Sequence, residues 1–148
     1  NTASLELAKE LGATHVVNRK EVDSIADEII RITDGGVNYA IDTSGNGNMI
    51  LNAIKCTAYH GTIIPIAPSG VIKEFNIGQD VLLQMRTIKG IDEGDSIPKI
   101  FIPKLARLYK EGRFPVDKII TTFKFTDLEE ARQASITGKV IKAVVTMD

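Results

Sequence analysis

Apolar residues recur along this chain in two alternating rhythms. Leu5, Leu7, Ala8 and Leu11 fall at helical spacing, and Gly12 supplies a stop. The stretch "ATHVVN" (13–18) predicts a short strand. Val22, Ile25, Ala26, Ile29 and Ile32 form a second helical stripe, ended by Asp34-Gly35-Gly36. "VNYAID" (37–42) predicts a strand, and Met49, Ile50, Ala53 and Ile54 a third helix. "GTIIPIAP" (61–68) is a continuous apolar run of the kind found in a strand covered on both faces. Helices alternating with short apolar strands predict βα units around a parallel sheet.

Beyond residue 70 the rhythm changes. "VIKEFNI" (71–77) predicts an edge strand, with a short helix at 79–85 and a strand at "RTIKGI" (86–91). Ser96 opens a long helix with Pro98 in its first turn, Ile97, Phe101, Leu105 and Leu108 inward, and Gly112 at its end. Thr126-Asp127-Leu128-Glu129 has the capping-box pattern, opening a last helix that ends at Gly138. "VIKAVVTM" (140–147) predicts a final strand.

Composition sharpens this picture by exclusion. With 148 residues, 43% of them hydrophobic and 25% charged, the chain can bury a core and is not of the disordered class. A net charge of −1, with cations spread along the chain, favours neither nucleic acid nor an anionic membrane as partner. No secretory pattern opens the sequence, so a cytoplasmic location is expected. Cys56 is the single cysteine, which excludes an intrachain disulfide and a cysteine-based zinc site built from these residues. His15 and His60 have no carboxylate or thiol at metal-ligand spacing. Ser44 lacks the context of a hydrolase nucleophile. No catalytic residue and no metal ligand is therefore assigned.

One stretch imitates a phosphate loop. In "IDTSGNGNMI" (41–50) an apolar strand ends, Gly45 and Gly47 follow, and a helix begins. The dinucleotide fingerprint needs a third small residue, so that the helix can pack on the strand, and an acid about 20 residues on for the ribose. The third place holds Ile50, whose bulk should hold the helix off the strand, and no acid appears before Glu74. The residues are compatible with a plain turn in which Ser44 or Asn46 caps the next helix. They also fit the exit of a later strand, with Ser44 and Gly45 walling a cofactor crevice. Asp42 could serve a ribose or the turn.

Four phrases in order resemble the medium-chain, zinc-type alcohol dehydrogenases: "LELAKELGATHVVN" (5–18), "GGVNYAIDTSGN" (35–46), "IKGIDEGDSIPKIFIPKLARLYKEGRFPVDKII" (88–120) and "GKVIKAVVTM" (138–147). The wording "EGDSIP…LYKEGRFP" is similar to the aryl (benzyl) alcohol dehydrogenase branch. The resemblance implies a partial Rossmann-type parallel sheet lacking its first two strands over 1–92. Over 93–148 it implies the C-terminal return segment of a catalytic domain. The zinc ligands, the glycine loop and the ribose-binding acid would lie upstream, the acid just before Asn1. NAD or NADP is the implied cofactor, with zinc only in the part of the parent outside this chain.

Cofactor contacts carry over by position. Asn1 and Ser4 fall where the family meets the adenosine ribose, although Ser4 lacks the charge of the Lys common there. Ser44, Gly45 and Asn46 match the crevice wall. Pro65 and Ala67 match the strand end that holds the nicotinamide carboxamide, and Ile91 and Glu93 the next strand's exit beside the ring. Lys142 matches a basic residue near the phosphates, usually Arg, with the charge kept and the fork lost. Pro65-Ile66-Ala67-Pro68 departs from the family's Gly-containing phrase, because Pro65 removes a donor and Ile66 replaces a residue of close approach. The implied partners are the dinucleotide, a small alcohol or aldehyde, and a second copy through the edge strand near Lys73–Ile77. Other readings stay open: a non-enzymatic α/β binding module, a truncated remnant, or a zinc-independent reductase of the same superfamily.

Overall fold

The computed structural model describes residues 2–68 and 70–147, which fall into two compact units, Asn1–Ser96 and Ile97–Asp148. The first unit opens with α1 (Thr2–Glu10), after which Gly12 turns the chain at a positive φ. Residues 13–18 do not form the expected strand. A strand exists only as part of a ladder, and no described strand pairs with this segment; Val16, Val17 and Asn18 are merely half-buried.

Helix α2 (Ile25–Thr33) starts later than the stripe suggests, because Ser24 is its N-cap and accepts from the Asp27 N–H at 3.2 Å. Asp34 closes it in the left-handed conformation. Then follow β1 (Val37–Asp42), α3 (Gly47–Cys56), β2 (Thr57–Pro65) and the two-residue β3 (Thr87–Ile88). They form one parallel sheet in the order β1-β2-β3, the sequential order found in one half of a doubly wound sheet. Asn52 ties α2 to α3: its Oδ1 accepts from Ala26 N–H at 3.3 Å, and its Nδ2 donates to the Asn48 carbonyl at 2.8 Å.

The core lies between α3 and the sheet. Ile50, Ile54 and Ile63 are buried there, with Ala53, Ile72 and Phe75 packed on them. Ile50 therefore does not hold the helix off; it is part of the contact that fastens the helix to the strand. Arg86 closes the other end of α3, donating to the carbonyls of Thr57, Asp80 (3.2 Å) and Ala58 (3.4 Å).

The edge strand expected at 71–77 is also absent. Ile72 and Phe75 turn inward onto the core, and Lys73-Glu74 makes a turn with Glu74 at φ 62°. A π-helical turn, Gly78–Leu82, follows with Ile77 as its N-cap, and the Asn76 side-chain oxygen accepts from the Gln79 N–H within it. A dimer formed by pairing strand edges near Lys73–Ile77 has no strand to use.

In the second unit, α4 (Pro98–Lys110) begins at Ile97 as N-cap, while the Ser96 hydroxyl donates back to the Glu93 carbonyl. The stripe is not buried as expected: Ile97 and Phe101 are exposed, and only Leu105 and Leu108 are half-covered. Parallel strands β4 (Ile120–Lys124) and β5 (Lys142–Thr146) carry α5 (Leu128–Ile136), which buries Ala131 and Ala134. The capping box does not form. Thr126 sits inside a 3-10 turn, Phe125–Asp127, and Glu129 turns to Arg132 at 2.7 Å and to Gln133 at 3.0 Å. Those two donors pull the Glu129 carboxyl down to about 2.

Candidate functional site at the carboxyl ends of the parallel strands

In an open parallel sheet the carboxyl ends of the strands all point one way, and ligands bind beyond them. Asp42, the last residue of β1, lies opposite Pro65, the last of β2. The Ile66 N–H donates to the Asp42 carbonyl at 3.0 Å, so the two exits leave the sheet joined. Pro65 costs the sheet no ladder bond, because β3 pairs with β2 only at Thr62 and Ile63 and closes with the Lys89 N–H on the Ile63 carbonyl.

The Asp42 side chain organises the turn that follows. Its Oδ1 accepts from the Ser44 hydroxyl at 2.6 Å and its Oδ2 from the Gly45 N–H at 3.0 Å. The Ser44 Oγ in turn accepts from the Asn46 N–H at 3.1 Å. Asn46 caps α3, its Oδ1 accepting from the N–H groups of Asn48 (3.0 Å) and Met49 (3.3 Å). Asp42 is only 7% exposed. Burial pushes its carboxyl up, but the hydrogen bonds from Ser44 and Gly45 outweigh that and hold it below the ordinary carboxylate value.

The two glycines of the turn are used by the chain itself. A Cβ on Gly45, at φ +64°, would collide with the Pro68 carbonyl oxygen and stand 3.5 Å from the Ala67 Cβ. A Cβ on Gly47 would lie 2.6 Å from the Val71 carbonyl oxygen. The close approach that a dinucleotide makes in a phosphate loop is made here by Ala67, Pro68 and Val71 of the chain itself.

The structure thus brings Ser44, Gly45 and Asn46 together with Pro65 and Ala67. Ile91 and Glu93 follow β3, Ile91 half-buried and Glu93 exposed at φ 46°. Ser4 is half-buried in the first turn of α1, and it is not among the residues lining the cleft of about 350 Å³ formed by Thr2, Leu5, Lys9, Val16 and Glu21. Lys142 is exposed at the start of β5, in the second unit. Asn1 lies outside the described residues. Two residues escaped the sequence reading as organisers: Asp42 and Arg86. The Asp-x-Ser-Gly order was the available signal for the first, since Asp side chains bond the backbone two to three residues on.

Cys56 is buried, and burial raises its thiol. Among the described residues no three His, Cys, Asp or Glu side chains stand together as a metal site. No helix among them is long and apolar enough to cross a membrane.

Residues 1–110 match the family model described as zinc-binding dehydrogenase. Geraniol dehydrogenase of Castellaniella defragrans is 34% identical over 98% of this chain, which spans 39% of that relative. The S-(hydroxymethyl)glutathione dehydrogenase of Paracoccus denitrificans is 28% identical, with 39% of its length spanned. Among solved structures, benzyl alcohol dehydrogenase from Acinetobacter calcoaceticus superposes with a TM-score of 0.93 at 36% identity. All of this chain and 41% of that one are covered. For 2R,3R-butanediol dehydrogenase from Bacillus subtilis the TM-score is 0.85 at 30% identity, with 42% of its chain covered. The chain therefore spans about two fifths of the length of the relatives it matches.

Proposed function

The chain belongs to the zinc-binding dehydrogenases, and from that premise we propose that residues 1–92 form the cofactor-holding part of an NAD(P)-dependent alcohol dehydrogenase. Residues 93–148 are assigned to the return segment of its catalytic domain. The observation that carries this reading is the joined exit of β1 and β2, where Ile66 N–H meets the Asp42 carbonyl and Gly45 meets Ala67 and Pro68. That wall lies at the carboxyl end of the sheet, where doubly wound folds hold dinucleotides.

Ser44, Gly45 and Asn46 form one side of the wall, and Pro65 and Ala67 present the backbone that orients the nicotinamide. Ile91 and Glu93 border it after β3. Asn1 and Ser4 are assigned to the adenosine ribose and Lys142 to the phosphates. A bound nicotinamide supplies the hydride acceptor, and zinc, held by residues outside these 148, supplies Lewis acidity. The share of this chain is to bind, orient and exclude water. The relatives favour a small alcohol as substrate of the whole enzyme, and the wording near 93–115 favours an aromatic one.

Among the described residues β1 has one unpaired edge, which supports the same partition. Tyr39 and Ile41 are exposed there, beside an apolar cleft of about 270 Å³ lined by Ile25, Ile29, Met49 and Cys56. Exposed apolar edges pair with further strands. The test is the reading frame upstream of Asn1. A glycine loop followed by a ribose-binding acid, with zinc-ligand cysteines further upstream, is expected. A start codon beside Asn1 would favour the remnant.

A further inference from the structure

Asp42 is a buried carboxylate without a cation beside it among the described residues; its side-chain oxygens accept from the Ser44 hydroxyl and the Gly45 N–H. Taking a carboxylate out of water without a counter-charge is costly, and an apolar strand end would avoid that cost. A residue that only ended β1 would not need the charge. This one contacts both exits of the sheet. Its carbonyl holds the Ile66 N–H, and its two side-chain oxygens hold Ser44 and Gly45. Through Ser44 Oγ the same chain of bonds reaches the Asn46 N–H and the start of α3. Gly45, fixed in this way, seats against the Pro68 carbonyl and the Ala67 methyl.

We infer that Asp42 is a positioning residue for the cofactor wall. Its carboxylate holds Ser44 and Gly45, and its carbonyl holds Ile66, in the one arrangement that a nicotinamide dinucleotide meets. Asp42 itself need not touch the ligand. The inference rests on the cofactor-holding role proposed above, and it adds the residue that sets the wall's shape.

The test uses the 15N-labelled full chain titrated with NADH, read from amide shifts. The expected result is that Asp42→Asn keeps the core signals of Ile50, Ile54 and Ile63 and binds NADH about tenfold more weakly, the loss of one charged hydrogen bond's worth of placement. Ile54→Val, which loosens the same core without touching the turn, should bind as the unaltered chain does. That contrast separates placement from general stability. Ser44→Ala removes one arm of the network and should weaken binding less than Asp42→Asn, so it carries the test if Asp42→Asn does not fold. A folded Asp42→Asn chain with unchanged affinity overturns the inference and leaves the cofactor role standing. Equal loss in Ile54→Val, or unfolding of both turn variants, also overturns it. An unaltered chain with no NADH-dependent shift removes the cofactor role and this inference with it.

Discussion

The carbonyl oxygen of Pro68 occupies the space that a side chain on Gly45 would need. The residue is therefore glycine for two reasons: its φ of +64° and the backbone packed against it. Gly112 shares the conformation, at φ +70°, with nothing within 4 Å. The pair separates the two effects.

Gly112→Ala should cost about 1 kcal/mol, the penalty of a left-handed alanine. Gly45→Ala should cost about 2 kcal/mol or more, because the Pro68 backbone must also shift. Urea denaturation of both variants checks the difference, and equal losses would show that Pro68 does not press on Gly45.

Asp42 makes stability depend on pH with a definite sign. Its folded carboxyl lies below the ordinary value, so the unfolded chain binds its proton first as the pH falls. The stabilisation is complete above the ordinary carboxylate range and is lost as the pH drops through the lowered folded value. Asp42→Asn should be less stable than the parent at neutral pH, and the gap should narrow under acid. A gap constant with pH, followed by urea midpoints, would contradict this.

Arg86 gathers the Lys55, Thr57 and Ala58 carbonyls at the C-terminal end of α3, where a cation also meets the helix dipole favourably. Lysine keeps the charge without the planar fork. Arg86→Lys should lose about 1 kcal/mol and Arg86→Ala about 2 kcal/mol, measured by denaturation. An unaffected Arg86→Ala chain would make these bonds incidental.

Phe75 packs on the core of Ile50, Ile54 and Ile63. Phe75→Asp should therefore destabilise the fold by about 2 kcal/mol or more, because it removes packing and buries a charge. Paired thermal melts and sedimentation distinguish this from a role in self-association. A normally stable variant that changes only its sedimentation would restore the interface reading.

The parallel α/β order was legible because α2, β1, α3 and β2 each carry their own periodicity and punctuation. β1 occupies the residues 37–42 that its apolar run marks. Segments whose structure depends on a partner were not legible. Residues 13–18 have strand composition but no described ladder, and 71–77 spends Ile72 and Phe75 on the core instead of on an edge. β4 has the opposite character: "ITTFK" lacks a clear signal and becomes a strand by pairing with β5. At the site, Ser44 and Gly45 could be found from the strand-turn-helix pattern. Asp42 could be named only as a ribose or turn candidate, because its importance lies in simultaneous bonds to Ser44, Gly45 and Ile66. The bulk of Ile50 pointed away from a phosphate loop, yet that same bulk packs α3 onto the sheet.

The central claim is that the exits of β1, β2 and β3 form a cofactor wall. Amide shift mapping of the 15N-labelled chain with NADH tests it most directly. Binding should be weak, with a dissociation constant well above micromolar, because Gly45 and Gly47 are engaged by the chain's own backbone and no phosphate loop is present in these residues. The shifts should concentrate at Ser44, Gly45, Asn46, Ile66 and Ala67 and extend to Ile91 and Glu93. Shifts absent, scattered over both units or centred away from these exits would contradict the account, and micromolar affinity would contradict its division of labour.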